Sequence, residues 1–249
     1  MTTIDLVGLA ILIMFLALML VYASIGERWK VVFRPLPGLD ALDEAIERAV
    51  EDGSRVHVSL GTGSVIGSDS APALAGLAML SKIAAKTSIS DKPVVATAAD
   101  GAMALLAQDT LRSAYDEAGV SGRYEPISGR LLAPSPFSYA AALPTMLATE
   151  DVSVHLMSGS FGAEGGLAAD FGERKHALVM AGTDDVQSQA LLYATAQFPL
   201  IGEEVFATGA YLDVGRMHRS SLRTQDIVRY VIVAVILAGT IAQTLGLLP

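Results

Sequence analysis

The chain has 249 residues, a net charge of −9 and no cysteine, and is 52% hydrophobic but only 17% charged, where an ordinary soluble domain carries ~25% charge. Collagen, a disordered chain, a disulfide scaffold and a cysteine-ligated metal centre are excluded at once. Only two stretches are long and apolar enough to cross a bilayer, which excludes a polytopic transporter and leaves one soluble domain held between two anchors.

Residues 6–25 (LVGLAILIMFLALMLVYASI) are an uncharged run of 20, matching the ~20 residues that a helix needs to cross ~30 Å of hydrocarbon. A cleaved secretory signal fits less well. The leading MTTID has an acid and no Lys or Arg, and the apolar core is long for a signal. Residues 1–26 are therefore read as the first membrane helix and 27–38, which include Pro35-Leu36-Pro37-Gly38, as a juxtamembrane linker.

Residues 39–213 are read as a cytosolic α/β domain. The spacing of Leu39, Leu42, Ile46 and Val50 predicts an amphipathic helix over 39–52, ended by Gly53. Residues 56–60 predict a strand, 71–86 a helix with Pro72 in its first turn, 93–98 a buried strand, and 103–118 a helix closed by Gly119. Residues 124–132 predict a strand or extended segment, 137–149 a helix containing Pro144, and 152–157 and 177–181 two more strands. Residues 187–197 and 203–212 predict the last two helices of the domain. Apolar strands alternating with helices predict an α/β fold: a Rossmann-like, mainly parallel sheet with helices on both faces. Over residues 36–213, 23 acids face 10 bases, a net of −13, so a nucleic-acid partner, which needs a basic face, is not expected.

Residues 214–229 form a basic juxtamembrane segment with Arg216, Arg219, Arg223 and Arg229, and 230–249 (YVIVAVILAGTIAQTLGLLP) form the second membrane helix, apolar on every face. Arg28, Lys30 and Arg34 follow the first span, so seven of the 17 basic residues flank the inner ends of the spans. The positive-inside rule then puts the chain in the cell (inner) membrane, with its central domain cytoplasmic and both termini outside. The basic collars and Trp29 would sit at the headgroups, making the lipid bilayer a partner. Ala234, Ala238, Ala242 and Gly246 recur every four residues, a stripe of the kind that lets helices approach closely in lipid. That stripe predicts a homo-oligomer or contact with other membrane proteins.

Several short runs carry a likeness: PLPGLDALDEAIERAVEDG and VHVSLGTG after the first span, then AGLAMLSKIA, SGSFGAEGG, GTDDVQSQ and PLIGEEVFATGAYL before the second. In these the chain resembles a family of bacterial and archaeal two-span membrane proteins of uncharacterised function. The likeness covers nearly the whole chain and implies the architecture above, but no activity. It also implies an acid on the helix after Glu164, here Asp170.

Chemistry has three candidate locations. Gly61-Thr62-Gly63-Ser64 begins a Gly-rich run between the first strand and a helix, where α/β folds place phosphate on backbone N–H groups. Its G-x-G-x-x-x-G spacing is one residue longer than the dinucleotide fingerprint, and it has no Walker lysine; a tight strand-to-helix turn that needs glycine conformations is the plainer explanation. Gly159 and Ser160 follow the strand at 152–157 and nearly match a nucleophile elbow, for which Asp170, Asp184 or Asp185, and His176 are available to a serine hydrolase; His176, however, is placed at the opening of a strand, and another Gly-rich turn at the sheet's C-terminal edge is the plainer reading. Glu164, Glu203 and Glu204 open helices, where the dipole favours a carboxylate; with Ser160 and Thr183 they would line a crevice if those helix starts converge. No His or carboxylate spacing specifies a metal, and no cofactor is named by the residues. His57 and His155 lie inside strands and are read as core. The leading expectation is a self-associating scaffold or accessory subunit without a complete catalytic set; the alternatives are a small-molecule or nucleotide sensor and a serine hydrolase.

Overall fold

The structure, a computed structural model, describes residues 3–25 and 33–246. Arg28, Trp29 and Lys30 of the first basic collar lie outside the described residues. The chain divides into two compact units, one formed by Arg34–Val214 and one by the terminal segments.

In the terminal unit, α1 (Thr3–Ile25) lies against α9 (Arg216–Thr244). Both helices are long and apolar enough to cross a membrane. The basic segment and the second apolar run are not separate elements: α9 continues unbroken through both, and its 29 residues measure about 43 Å at 1.5 Å per residue. Nothing between Arg216 and Thr244 breaks a helix, so the change from basic to apolar residues alters the surroundings and not the backbone.

The central unit begins with α2 (Pro37–Asp52), whose C-cap Gly53 is left-handed. There follow β1 (Arg55–Gly61), α3 (Ser70–Thr87), β2 (Val95–Ala98) and α4 (Gly101–Glu117). The predicted extended segment at 124–132 is instead two 3-10 turns, Ser121–Arg123 and Pro126–Ser128, and the three-residue β3 (Gly129–Leu131). Pro126 has no N–H to give a ladder, which confines pairing to the residues after it. The chain continues with α5 (Pro136–Thr149), β4 (Val152–Ser160), α6 (Glu164–Arg174), β5 (Leu178–Gly182), α7 (Val186–Thr195), β6 (Phe198–Leu200) and α8 (Glu204–Tyr211). β6 was not expected. It is three residues with Pro199 at its centre, tolerated because β6 is an edge strand.

All six strands are parallel, in the order β3-β2-β1-β4-β5-β6. The chain builds outward from β1 in one direction and then restarts beside it with β4, the order of doubly wound sheets that bind ligands where the order reverses. Alternate side chains fill two cores. Val56, Val58 and Leu60 of β1 join Val154 and Leu156 of β4 under α2, α3 and α4. Met157 of β4 and Val179 and Ala181 of β5 pack with Tyr139, Leu143 and Ala168 under α5 and α6, together with Leu192 of α7. Because the sheet is parallel, the six helices that follow strands, α3 to α8, all start at the strands' C-terminal edge.

Candidate functional site

The reversal between β1 and β4 brings together two of the three predicted locations. Gly61 pairs with Ser160 across the sheet. Beyond it, the Thr62 N–H and hydroxyl both donate to the Ser160 carbonyl, at 2.9 and 3.2 Å. The Ser64 hydroxyl reaches Asp100 Oδ2 at 3.4 Å, so the ends of β1, β2 and β4 converge.

The glycines hold this junction shut. A Cβ on Gly159 would lie 2.0 Å from the Leu60 carbonyl oxygen, and one on Gly61 would lie 2.2 Å from that of Ser160. Gly61 also has φ +74°, a conformation that L side chains rarely adopt. A Cβ on Gly63 would meet the Asp69 carbonyl at 2.6 Å. Close approach of two backbones accounts for these glycines without a phosphate.

Carboxylates already stand where phosphate would bind. Asp69 occupies the N-cap position of α3. Asp100 caps α4, accepting from the Met103 N–H at 2.9 Å. Glu164 opens α6, is buried, and accepts from the Gly162 N–H at 2.9 Å. Asp185 caps α7, accepting from the Ser188 N–H at 2.8 Å and from its hydroxyl; these two bonds, the hydroxyl's first, hold its carboxyl below the usual range. Glu203 is the N-cap residue of α8, and Glu204 in its first turn accepts from the Ile201 N–H at 2.9 Å and pairs with Arg34. Five of the six helix N-termini at this sheet edge are thus matched by the chain's own acids, which the helix dipole favours; the sixth, that of α5, is capped by Ser135 and has no acid in its first turn. An incoming phosphate would meet that negative charge at every start but that of α5.

Thr183 lies where expected, beyond β5, but its hydroxyl is engaged. It donates to the Phe161 carbonyl at 3.0 Å and accepts from the Phe161 N–H at 2.9 Å, fixing the turn after β4.

The hydrolase set is not brought together. β4 runs on through Ser160, so Ser160 closes a strand instead of standing on a sharp strand-to-helix turn. His176 does not open a strand; it is exposed, left-handed at φ +60°, and precedes β5. In a parallel sheet that is the N-terminal edge, opposite Ser160. Asp170 is ion-paired with Arg174 on α6 at 2.7 Å.

The feature hardest to foresee is a polar chain buried inside the sheet. The rings of His57 and His155 stack with centroids 4.9 Å apart, and their Nδ1 atoms are 2.9 Å apart. His57 Nε2 is 2.9 Å from Thr97 Oγ1, and the Tyr139 hydroxyl is 2.6 Å from both Thr97 Oγ1 and Ser59 Oγ. All five residues are buried. One proton order makes every link: His155 Nδ1–H donates to His57, His57 Nε2–H to Thr97, and the Thr97 and Ser59 hydroxyls to Tyr139. Tyr139 then donates to the Thr97 carbonyl, 3.2 Å away. That order leaves only His155 Nε2, which has no partner, as a bare lone pair. Burial lowers the pKa of His155 to about 3 and, with His155 and Arg130 nearby, holds that of His57 well below its ordinary value. Burial pushes Tyr139 up to about 12 against the hydrogen bonds of Ser59 and Thr97. The chain is therefore neutral at physiological pH. The sequence signal for it was the two strand histidines with Ser59 and Thr97 at polar positions on otherwise apolar strands.

Fold and edge together define an α/β protein with a six-stranded parallel sheet, flanked in sequence by two helices of membrane-spanning length. The chain belongs to the DUF6754 family, a domain of unknown function, whose model matches residues 2–248. No curated protein and no solved structure matches it.

Proposed function

We propose that the protein is a membrane-anchored, self-associating scaffold or accessory subunit, its α/β domain cytoplasmic and both termini outside. The observation that carries this reading is on α9: beside α1, Ala234 and Ala238 of the small-residue stripe remain exposed. In lipid, helices associate through close backbone approach at such positions, because the apolar surface alone gives no drive. The basic runs beside both spans support the orientation. The separation of Ser160 from His176 removes the support for a hydrolase. Native mass spectrometry of the full chain in detergent and nanodiscs should give a defined oligomer, and a chain that stays monomeric in lipid overturns the reading. Cysteines placed at Ser54 and Thr2 report the orientation: an impermeant thiol reagent on intact cells should spare position 54, and labelling there but not at position 2 inverts the topology.

A second reading is a Rossmann-like sensor module, favoured by the convergence of Thr62, Ser64, Ser160 and Asp100 at the strand-order reversal. The surrounding carboxylates select against phosphates and for a neutral, hydroxyl-rich or cationic small molecule. In a thermal-shift screen of the full chain, polyols and amines should raise the melting temperature by mass action, and Ser64→Ala should abolish the rise. Stabilisation by nucleotides and none by amines or polyols would refute this ligand class. Ser64 is a better probe than Gly63, whose substitution would disturb the Asp69 backbone.

A further inference from the structure

The two helical layers that cover the sheet have opposite surfaces. On one side, α2 carries seven charged residues in 16, and α4 carries four in 17. On the other, α5 and α7 carry none. Between these two, α6 has four, but Glu164 is buried at its first position and Asp170 pairs with Arg174. Glu173 stays exposed, and this sparsely charged layer exposes large apolar side chains: Phe137 is 71% exposed, Leu167 64%, Val186 78% and Tyr193 70%. A solvated helix face normally carries charge at such positions.

A groove of ≈ 540 Å³ runs between α5 and α6. Its lining is apolar: Phe137, Ala140, Ala141, Pro144, Leu167 and Phe171. Small side chains alternate with large ones, the arrangement that receives a side chain from another helix. The only charges in its lining are the i,i+4 pair Asp170 and Arg174.

We propose that this groove is the contact face between two copies of the chain, packed about a two-fold axis with α6 against α6. The inference rests on the self-association reading above and assigns the surface that does it. Two features select a second copy as the occupant. The face is self-complementary in shape, because it offers projecting residues (Phe137, Leu167) and small ones (Ala140, Ala141) that can receive them. It is self-complementary in charge as well. A two-fold axis across α6 brings Asp170 of each copy toward Arg174 of the other, whereas a partner recognised by charge would find almost none on α5 or α7. In an isologous contact one surface serves both partners, and an apolar centre with a polar rim is the usual anatomy of such contacts.

The native chain has no cysteine, so single cysteines test the surface without background. Leu167→Cys and, on the charged layer, exposed Ser113→Cys are made in the full chain reconstituted in nanodiscs and treated with a short bis-maleimide. Position 167 should cross-link to dimer at least tenfold faster than position 113. Leu167→Asp, at an exposed position where folding tolerates it, should weaken the contact by about 100-fold, because each copy would bury an unpaired carboxylate; Leu167→Met should not. If native mass spectrometry shows an oligomer while position 167 links no faster than 113 and Leu167→Asp leaves the mass unchanged, the groove is not the interface, and self-association stands through other surfaces. If the chain is monomeric in lipid, both fall.

Discussion

Between pH 7 and pH 5 the α/β domain is expected to lose up to about 4 kcal/mol of stability through His57 and His155 alone. Both histidines are fully buried and held neutral, His155 with a pKa of about 3 and His57 well below 6.5. Once unfolded, each titrates near 6.5. The unfolded chain therefore binds more protons than the folded one below pH 6.5, and stability falls as pH falls. It is complete above the unfolded pKa and declines at up to about 1.4 kcal/mol per pH unit per histidine toward the folded pKa. Most carboxylates remain ionised at pH 5, so histidines dominate the window from 6.5 to 5, and substitution of one buried ring assigns the share of the pair. The protection factors of β1 and β4 peptides, corrected for the intrinsic slowing of amide exchange at lower pH, should fall by up to about 10³-fold between pH 7 and pH 5 if those strands exchange by global opening. His155→Leu should halve the slope, since it removes one titrating group and leaves His57 neutral. A domain equally protected at pH 7 and pH 5 would mean that the rings reach solvent or a counter-charge, against the burial described above.

The fold was legible where a strand is a long apolar run. β1, β2, β4 and β5 stand out because both faces are covered, and their Val, Ala, Leu and Met residues leave little polar surface. β6 was illegible for the opposite reason: three residues centred on a proline carry no periodicity, and only the exposed edge of β5 makes them a strand. The end of β4 was misplaced because Ser158, Gly159 and Ser160 read as a turn by composition. The contact of Gly159 with the Leu60 carbonyl is what keeps them extended, and it lies 99 residues away in sequence. The positions of Glu164 and Glu204 at helix starts could be read locally, since capping depends on residues two or three apart. That five such starts share one edge follows from strand order, which depends on long-range pairing. The link between His57, Thr97, Tyr139 and His155 was out of reach in the same way. Its hydrogen-bonded partners are 40 to 98 residues apart, and a histidine in a strand does not announce its neighbour.

Gly159→Ala should destabilise the domain by about 3 kcal/mol or more, the upper end of what overpacking a core causes. The added methyl would sit 2.0 Å from the Leu60 carbonyl oxygen and 2.5 Å from its carbon. Both are main-chain atoms of β1 in the middle of the sheet, so no side chain can swing aside, and relief requires β1 and β4 to separate where the strand order reverses. Gly61→Ala should act at least as strongly, adding the left-handed penalty to a 2.2 Å contact with the Ser160 carbonyl. Gly101→Ala is the control. It lies at the first position of α4 with nothing within 4 Å of the new methyl, and alanine there should be neutral or stabilising by about 0.5 kcal/mol. Chemical denaturation of the three variants would give these differences directly. The comparison also separates fold from function at the predicted ligand loop. If Gly159→Ala and Gly61→Ala unfold the domain, any loss of activity in them reports on the β1–β4 junction and not on a bound phosphate. If they fold with unchanged stability, the two backbones are not in the close contact described here, and the junction is open enough to hold a ligand after all.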